Sequence, residues 1–170
     1  EMVEKGQMLL RFDTRQAADQ KATFTRLIAL EQDQLQTQLK TLHSQKNSLA
    51  GRREVLQQRL KTKTTILEAM QALVEQGGFQ RLQYLEQQDQ LFELQKQVSE
   101  LSEQDDQLTL QADQLTLQSR KSIDQMRSQL KQAEVQLQYQ NVVAPVDGIV
   151  FDPKVTPEGV TQAGERILSI

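Results

Sequence analysis

Cysteine and tryptophan are absent from this chain, and aromatic residues make up only 4% of its 170 positions. Without thiols there is no disulfide framework and no thiolate metal site. At 37% hydrophobic residues, large apolar groups are too few to fill one globular core of this length. A surplus of one charge sign is missing too. The net charge is −3, with Lys, Arg, Asp and Glu mixed along the chain, so there is no basic footprint for nucleic acid. No run of about eighteen apolar residues is present to span a membrane, and no signal peptide is visible. Proline is absent from Asp13 to Gln140, where the only glycines are Gly51, Gly77 and Gly78.

What fills this space is about thirty glutamines, with Leu, Lys, Glu and Arg. Leu35, Leu42, Leu49 and Leu56 recur every seven residues. Leu39, Lys46, Arg53, Leu60, Leu67 and Val74 form a second series offset by four. In the second half Leu94, Leu101, Leu108 and Leu115 repeat by sevens, flanked by Leu91, Val98, Asp105, Ala112 and Met126. After Ser119 the phase shifts, and Ile123, Met126, Leu130, Ala133 and Leu137 continue it. Such narrow stripes predict a coiled-coil seam rather than the broad face of a globular helix.

The flanks differ. Residues 1–12 read as a turn followed by a strand-like run from Met8 to Phe12. Residues 141–170 hold all three prolines and three of the seven glycines. Their short β-like runs, Val142–Val143, Gly148 to Phe151, Val160 and Ile167 to Ile170, are broken by turn sequences. Thirty residues are too few for a sheet with its own core, so the two flanks are expected to meet in one β-domain. The helical insert must then go out and return. Its midpoint falls near residue 76, beside Gly77-Gly78, which places an antiparallel hairpin's tip at residues 76–79. Helices of about 60 residues predict a rod of order 90 Å. Leu73, Val74, Phe79, Leu82 and Leu85 cluster round the turn, where a free tip should be polar.

With these segments in place, the chain resembles a periplasmic adaptor, or membrane fusion protein, of the haemolysin D-like family. The resemblance rests on "VEKGQMLLRFD" and "VVAPVDGIV…EGVTQAGERILSI", the two halves of a lipoyl-like motif, with the helical stretch between them. It implies a mainly α fold: a long coiled-coil α-hairpin (13–140) inserted between the halves (1–12 and 141–170) of a small lipoyl-like β-sandwich. It also implies a periplasmic protein, anchored in the inner membrane, that self-associates into a ring, usually a hexamer. Its partners would be an inner-membrane ABC exporter and an outer-membrane channel of the TolC type, serving type I protein secretion. The family's tip motif of Arg, Leu and Ser, aligned on the turn, falls at Met70, Val74 and Gln80, where only the apolar middle position keeps its type. The expected partner-binding set at the tip is therefore Met70, Leu73, Val74, Gly77, Gly78, Phe79, Gln80 and Leu82.

Other readings are weaker. "LEAM" at 67–70 has the look of a biotin-acceptor motif, but Gln71 stands where a lysine is needed, so no cofactor is expected. His43, the lone histidine, reads as solvated, since a ligand or base needs partners at defined geometry. No catalytic set or phosphate-binding glycine loop occurs, so the chain reads as no enzyme. A multidrug-efflux adaptor and a structural coiled-coil rod are the alternatives. The chain opens without an initiator Met and closes on apolar "ERILSI", the ends expected of a fragment whose membrane anchor lies outside it.

Overall fold

A computed structural model describes residues 2–78, 80–151, 153–154, 159–162 and 165–169. Six elements follow in order: β1 (Met2–Val3), β2 (Met8–Arg11), α1 (Arg15–Glu75), α2 (Arg81–Gln138), β3 (Asn141–Val143) and β4 (Gly148–Ile149). The two helices, of 61 and 58 residues, contain no proline, and Gly51 is their only glycine. The chain divides into two compact units. One comprises Glu1–Ile28 with Asp124–Ile170, the other Ala29–Ile123.

In the first unit the chain's two flanks pair. β1 lies antiparallel to β4, with Met2 opposite Ile149 and Val3 opposite Gly148. β2 lies antiparallel to β3, and its register steps between Met8 and Leu10, which leaves Leu9 as a bulge. Of the expected Met8–Phe12 run, Met8–Arg11 forms the strand and Phe12 lies outside it; the strand pairs with Asn141–Val143, although more than a hundred residues separate them. β1 is an additional strand. Residues 4–7 turn between β1 and β2: Gln7 N–H donates to the Glu4 carbonyl at 3.0 Å, and Gly6 holds φ +88°. That conformation suits a residue without a Cβ. Gly6 N–H donates to the Ala144 carbonyl at 2.8 Å, and Ala144 N–H returns to the Gln7 carbonyl at 2.9 Å. Lys5 N–H donates to the Asp147 carboxylate at 2.6 Å. Each flank therefore satisfies the other's backbone, and Val3 and Ala144 are buried at the junction. Farther along, Phe151 and Ser169 form an isolated antiparallel bridge. Val160, expected in a β-like run, is exposed and lies in no strand, and Ile170 lies outside the described residues.

The same unit holds the base ends of the helices. Asp13 precedes α1 and accepts the Arg15 backbone N–H at 3.0 Å. Its carboxylate also accepts from the Arg15 side chain, with Nε at 3.0 Å from both oxygens and Nη2 at 2.6 Å from Oδ2. Phe12 N–H donates to the Gln140 carbonyl at 2.8 Å. The Gln140 side-chain oxygen, with the amide oriented to suit its neighbours, accepts from the Arg11 guanidinium and the Thr14 hydroxyl at 3.0–3.2 Å. Ala17 and Ala133 are buried, and Lys21 meets Glu134 across the helices at 3.7 Å.

In the second unit the shielded positions follow the seven-residue series. On α1 they run Leu35, Leu39, Leu42, Lys46, Leu49, Arg53, Leu56, Leu60, Lys63 and Leu67; on α2, Leu91, Leu94, Val98, Leu101, Asp105, Leu108, Ala112, Leu115 and Ser119. Polar contacts fix the pairing. Lys46 Nζ reaches Thr109 Oγ1 at 2.5 Å and Asp105 Oδ2 at 3.7 Å. Lys63 Nζ donates to the amide oxygens of Gln87 and Gln90, the latter at 2.7 Å. Residues facing one another thus have position numbers that add to between 150 and 155. This is an antiparallel, intramolecular seam. The expected meeting of a seam cation with an acid occurs at Lys46–Asp105, both about two-thirds shielded, whereas Arg53 has no ion-pair partner among the described residues.

The phase change after Ser119 is also present. Shielded positions on α2 step by four twice, Leu115–Ser119–Ile123, and α1 shows the matching double step, Glu31–Leu35–Leu39. The facing rule puts both at one level, so the two helices change face together and the seam stays closed. Ser119 is a small residue at the changeover, buried, its hydroxyl without a hydrogen-bond partner among the described residues.

Candidate functional site

The connection between α1 and α2 is short, residues 76–80. Gly77 N–H donates to the Val74 carbonyl at 3.0 Å and Gly78 N–H to the Leu73 carbonyl at 2.9 Å. With Gly77 at φ +75°, this is a Schellman ending, in which the left-handed residue just past the helix lets two orphan carbonyls find donors. Gly77 therefore has the role expected of it. Gly78 has no left-handed conformation, and a Cβ there would meet the Leu73 carbonyl at an ordinary 3.6 Å. α2 then starts from Gln80, whose carbonyl accepts Tyr84 N–H at 3.4 Å.

Around this turn Leu73 is 47% exposed, Leu82 67% and Leu85 47%. Met70 and Val74 are half-buried, Gln80 is exposed, and Phe79 lies outside the described residues. The last tightly closed layer before the turn is Leu67, at 6% exposure. Beyond it Leu73 and Leu82 of the expected contact set, with Leu85 outside that set, expose much of their side chains. The helix ends there carry the wrong signs. Glu75 is the last residue of α1, where the peptide dipoles favour a cation, and Arg81 is the first of α2, where they favour an anion. Glu75 has only a 3.4 Å bond from the Gln71 amide, and Arg81 has no ion pair among the described residues. Apolar periodicity gives no hint of these charges. They follow only once the helix ends are known.

The set-aside motifs fall where the sequence put them. Leu67 of "LEAM" is buried in the seam, Gln71 is exposed on α1, and His43 is exposed beside buried Leu42. Among the described residues no group of His, Asp and Glu is arranged to hold a metal, and no helix is long and apolar enough to cross a membrane.

Two flanks that close on each other, with a long helical hairpin set between them, form a specific chain path. The soluble domain of LipC, a membrane fusion protein of a type I secretion system, follows it with a TM-score of 0.52 over 99% of this chain and 90% of LipC's. This chain has the fold of a membrane fusion protein. At 17% identity the likeness is one of backbone path and brings no residue roles with it. The periplasmic adaptor protein EmrA is also similar, with a TM-score of 0.45 and 14% identity over 99% of this chain, which spans 64% of EmrA's length. No protein-family model and no curated protein sequence matches the chain.

Proposed function

We propose that the chain is part of a periplasmic adaptor linking an inner-membrane ABC exporter to a TolC-type outer-membrane channel for type I protein secretion. In this reading residues 1–12 and 141–170 are the halves of one lipoyl-like β-sandwich, and the hairpin between them carries the channel-binding tip. Several copies stand in a ring, a hexamer in the simplest case, and the membrane anchor belongs to parts of the protein outside these residues. The role is connective, with no catalytic step.

The observation that carries this reading is the pairing of β1 with β4 and of β2 with β3 across the whole helical insert. A filament rod needs no such closure, since its helices are held by their seam alone. The open tip supports it further. Leu73, Leu82 and Leu85 stay largely in water beyond Leu67, and burying them against a second protein removes apolar surface at about 25 cal/mol per Å2. Glu75 and Arg81 at their unfavourable helix ends gain most from a partner that supplies opposite charge.

The test places charge in that contact. Leu73→Asp with Leu82→Asp, made in the full-length protein, should abolish export of the cognate secreted protein, because the new carboxylates would have to shed water at the joint. The same pair in the purified chain should leave helical content and melting nearly unchanged. Secretion and drug resistance both at the ordinary level would refute tip docking. Secretion retained with drug resistance lost would replace this reading by the efflux one.

A further inference from the structure

Arg81 stands alone in the tip-side part of the hairpin. Among residues 64–95 it is the only basic residue, against five acids, Glu68, Glu75, Glu86, Asp89 and Glu93. All six are exposed, and none makes an ion pair among the described residues. The spacing explains why. A helix brings opposite charges together three or four positions apart, and Arg81 has Tyr84 and Leu85 at those positions. Across the seam, the facing rule fixed at Lys46 and Lys63 sets it level with residues 69–74, which carry no charge.

Its own helix offers Arg81 nothing either. At the first position of α2 it adds positive charge to the positive end of the peptide dipoles. The orphan backbone groups at that end are N–H donors, as the guanidinium is, so the two cannot satisfy each other. The placement is mildly unfavourable to the fold, and no ion pair among the described residues offsets it.

What surrounds it suits a joint. Leu82, next in the chain, is 67% exposed, and Leu73 and Leu85 are each 47% exposed. An arginine beside such surface buries its stem with the leucines while its planar head makes two parallel bonds to one carboxylate. Once water leaves the joint, a guanidinium without that carboxylate is costly, so a surface lacking it is rejected. The five acids favour a basic rim around the contact. We infer that Arg81 decides which channel the tip accepts: the matching surface is apolar, basic at its edge, and presents one carboxylate to the guanidinium. This selectivity rests on the docking proposed for the tip and names the chemistry of the partner there.

Arg81→Glu separates the needs of the partner from those of the fold. An anion at the start of α2 suits the dipoles, so the purified chain should melt about 1–3 °C higher. Transport by the full-length protein, read as secretion and as drug resistance, should nonetheless fall by about tenfold or more, because a carboxylate would then face a carboxylate. Arg81→Lys keeps the charge but loses the planar fork, and its transport should lie between the two. Suppressors of Arg81→Glu selected in the outer-membrane channel should exchange an Asp or Glu for Lys or Arg. Transport at the ordinary level in Arg81→Glu overturns the inference. The Leu73→Asp with Leu82→Asp pair, run alongside, then shows what else falls. Transport lost in the pair leaves tip docking standing without a charge requirement, and transport kept in both removes docking as well. A lower melting temperature would give Arg81 a structural part, and suppressors confined to this chain would place the lost contact inside it. Either result also overturns the inference.

Discussion

The base ends of the two helices and their tip ends are built by different means. At the base, side chains do the holding. Asp13 accepts from the Arg15 backbone and guanidinium, and Gln140 joins the Arg11 side chain, the Thr14 hydroxyl and the Phe12 backbone. At the tip no comparable side-chain network forms among the described residues. The backbone turns through a left-handed Gly77, and the nearest charges, Glu75 and Arg81, oppose the helix dipoles. The base spends its polar groups on its own backbone, and the tip leaves its side chains unengaged. Residues that stabilise nothing internally can be selected for a partner. The contrast therefore bears directly on the tip-docking reading.

The sharpest way to break this comparison is to show that the tip leucines do hold the fold. Leu67, 6% exposed, closes the seam's last tight layer, and Leu82, 67% exposed, lies beyond it. Leu67→Ala should lower unfolding free energy by about 2–3 kcal/mol, the range for a buried leucine whose site relaxes in part. Leu82→Ala should stay within about 0.5 kcal/mol, as exposed substitutions usually do. Urea unfolding followed by circular dichroism measures both. Equal losses would make the tip part of the core and remove the reason to assign it elsewhere.

A second, smaller difference separates the two glycines. Gly77→Ala forces a Cβ into φ +75° and should cost about 1 kcal/mol. Gly78→Ala should be near neutral, because its Cβ would find only ordinary contact with the Leu73 carbonyl. The two melting curves decide it. If Gly78→Ala is the more damaging change, the Schellman geometry is not what fixes the turn.

How much of this was legible beforehand depends on which physical signal each feature leaves. The seam was plain, because a coiled coil repeats its apolar residues and every repeat restates the pattern. Its turn followed from symmetry and two glycines. The pairing of Met8–Arg11 with Asn141–Val143 came from an argument about insufficiency, since neither flank has apolar residues enough for a core. β1 was missed because two residues leave no alternation to detect. The double step at Glu31–Leu35–Leu39 was missed because its first member is a glutamate, and apolar periodicity ignores polar residues. The tip's leucines were readable, but the adverse placement of Glu75 and Arg81 needed the helix ends located to the residue. What locates them is backbone geometry at Gly77.

The least perturbing test returns to the base. Asp13 is held at a pKa of about 2, below its ordinary 3.8, by the side-chain hydrogen bonds from Arg15, then by the Arg15 backbone N–H and the guanidinium charge. A carboxylate depressed in the folded state binds protons more readily when unfolded. Its contribution is therefore complete above pH 3.8 and disappears as pH falls through about 2. Both side chains lie in water, so the effect is a small one and salt should reduce it. Asp13→Asn keeps an oxygen for the Arg15 N–H and removes the titrating charge. The melting temperature of the unsubstituted chain should fall more steeply across that acid window than that of the variant, against the background of the other carboxylates. An NMR titration should find the Asp13 carboxyl still ionised below pH 3.8 and protonated only as the pH falls through about 2. Should Asp13 titrate at its ordinary 3.8, the Asp13–Arg15 contact holds nothing at the base, and the difference between the two helix ends reduces to the glycine turn.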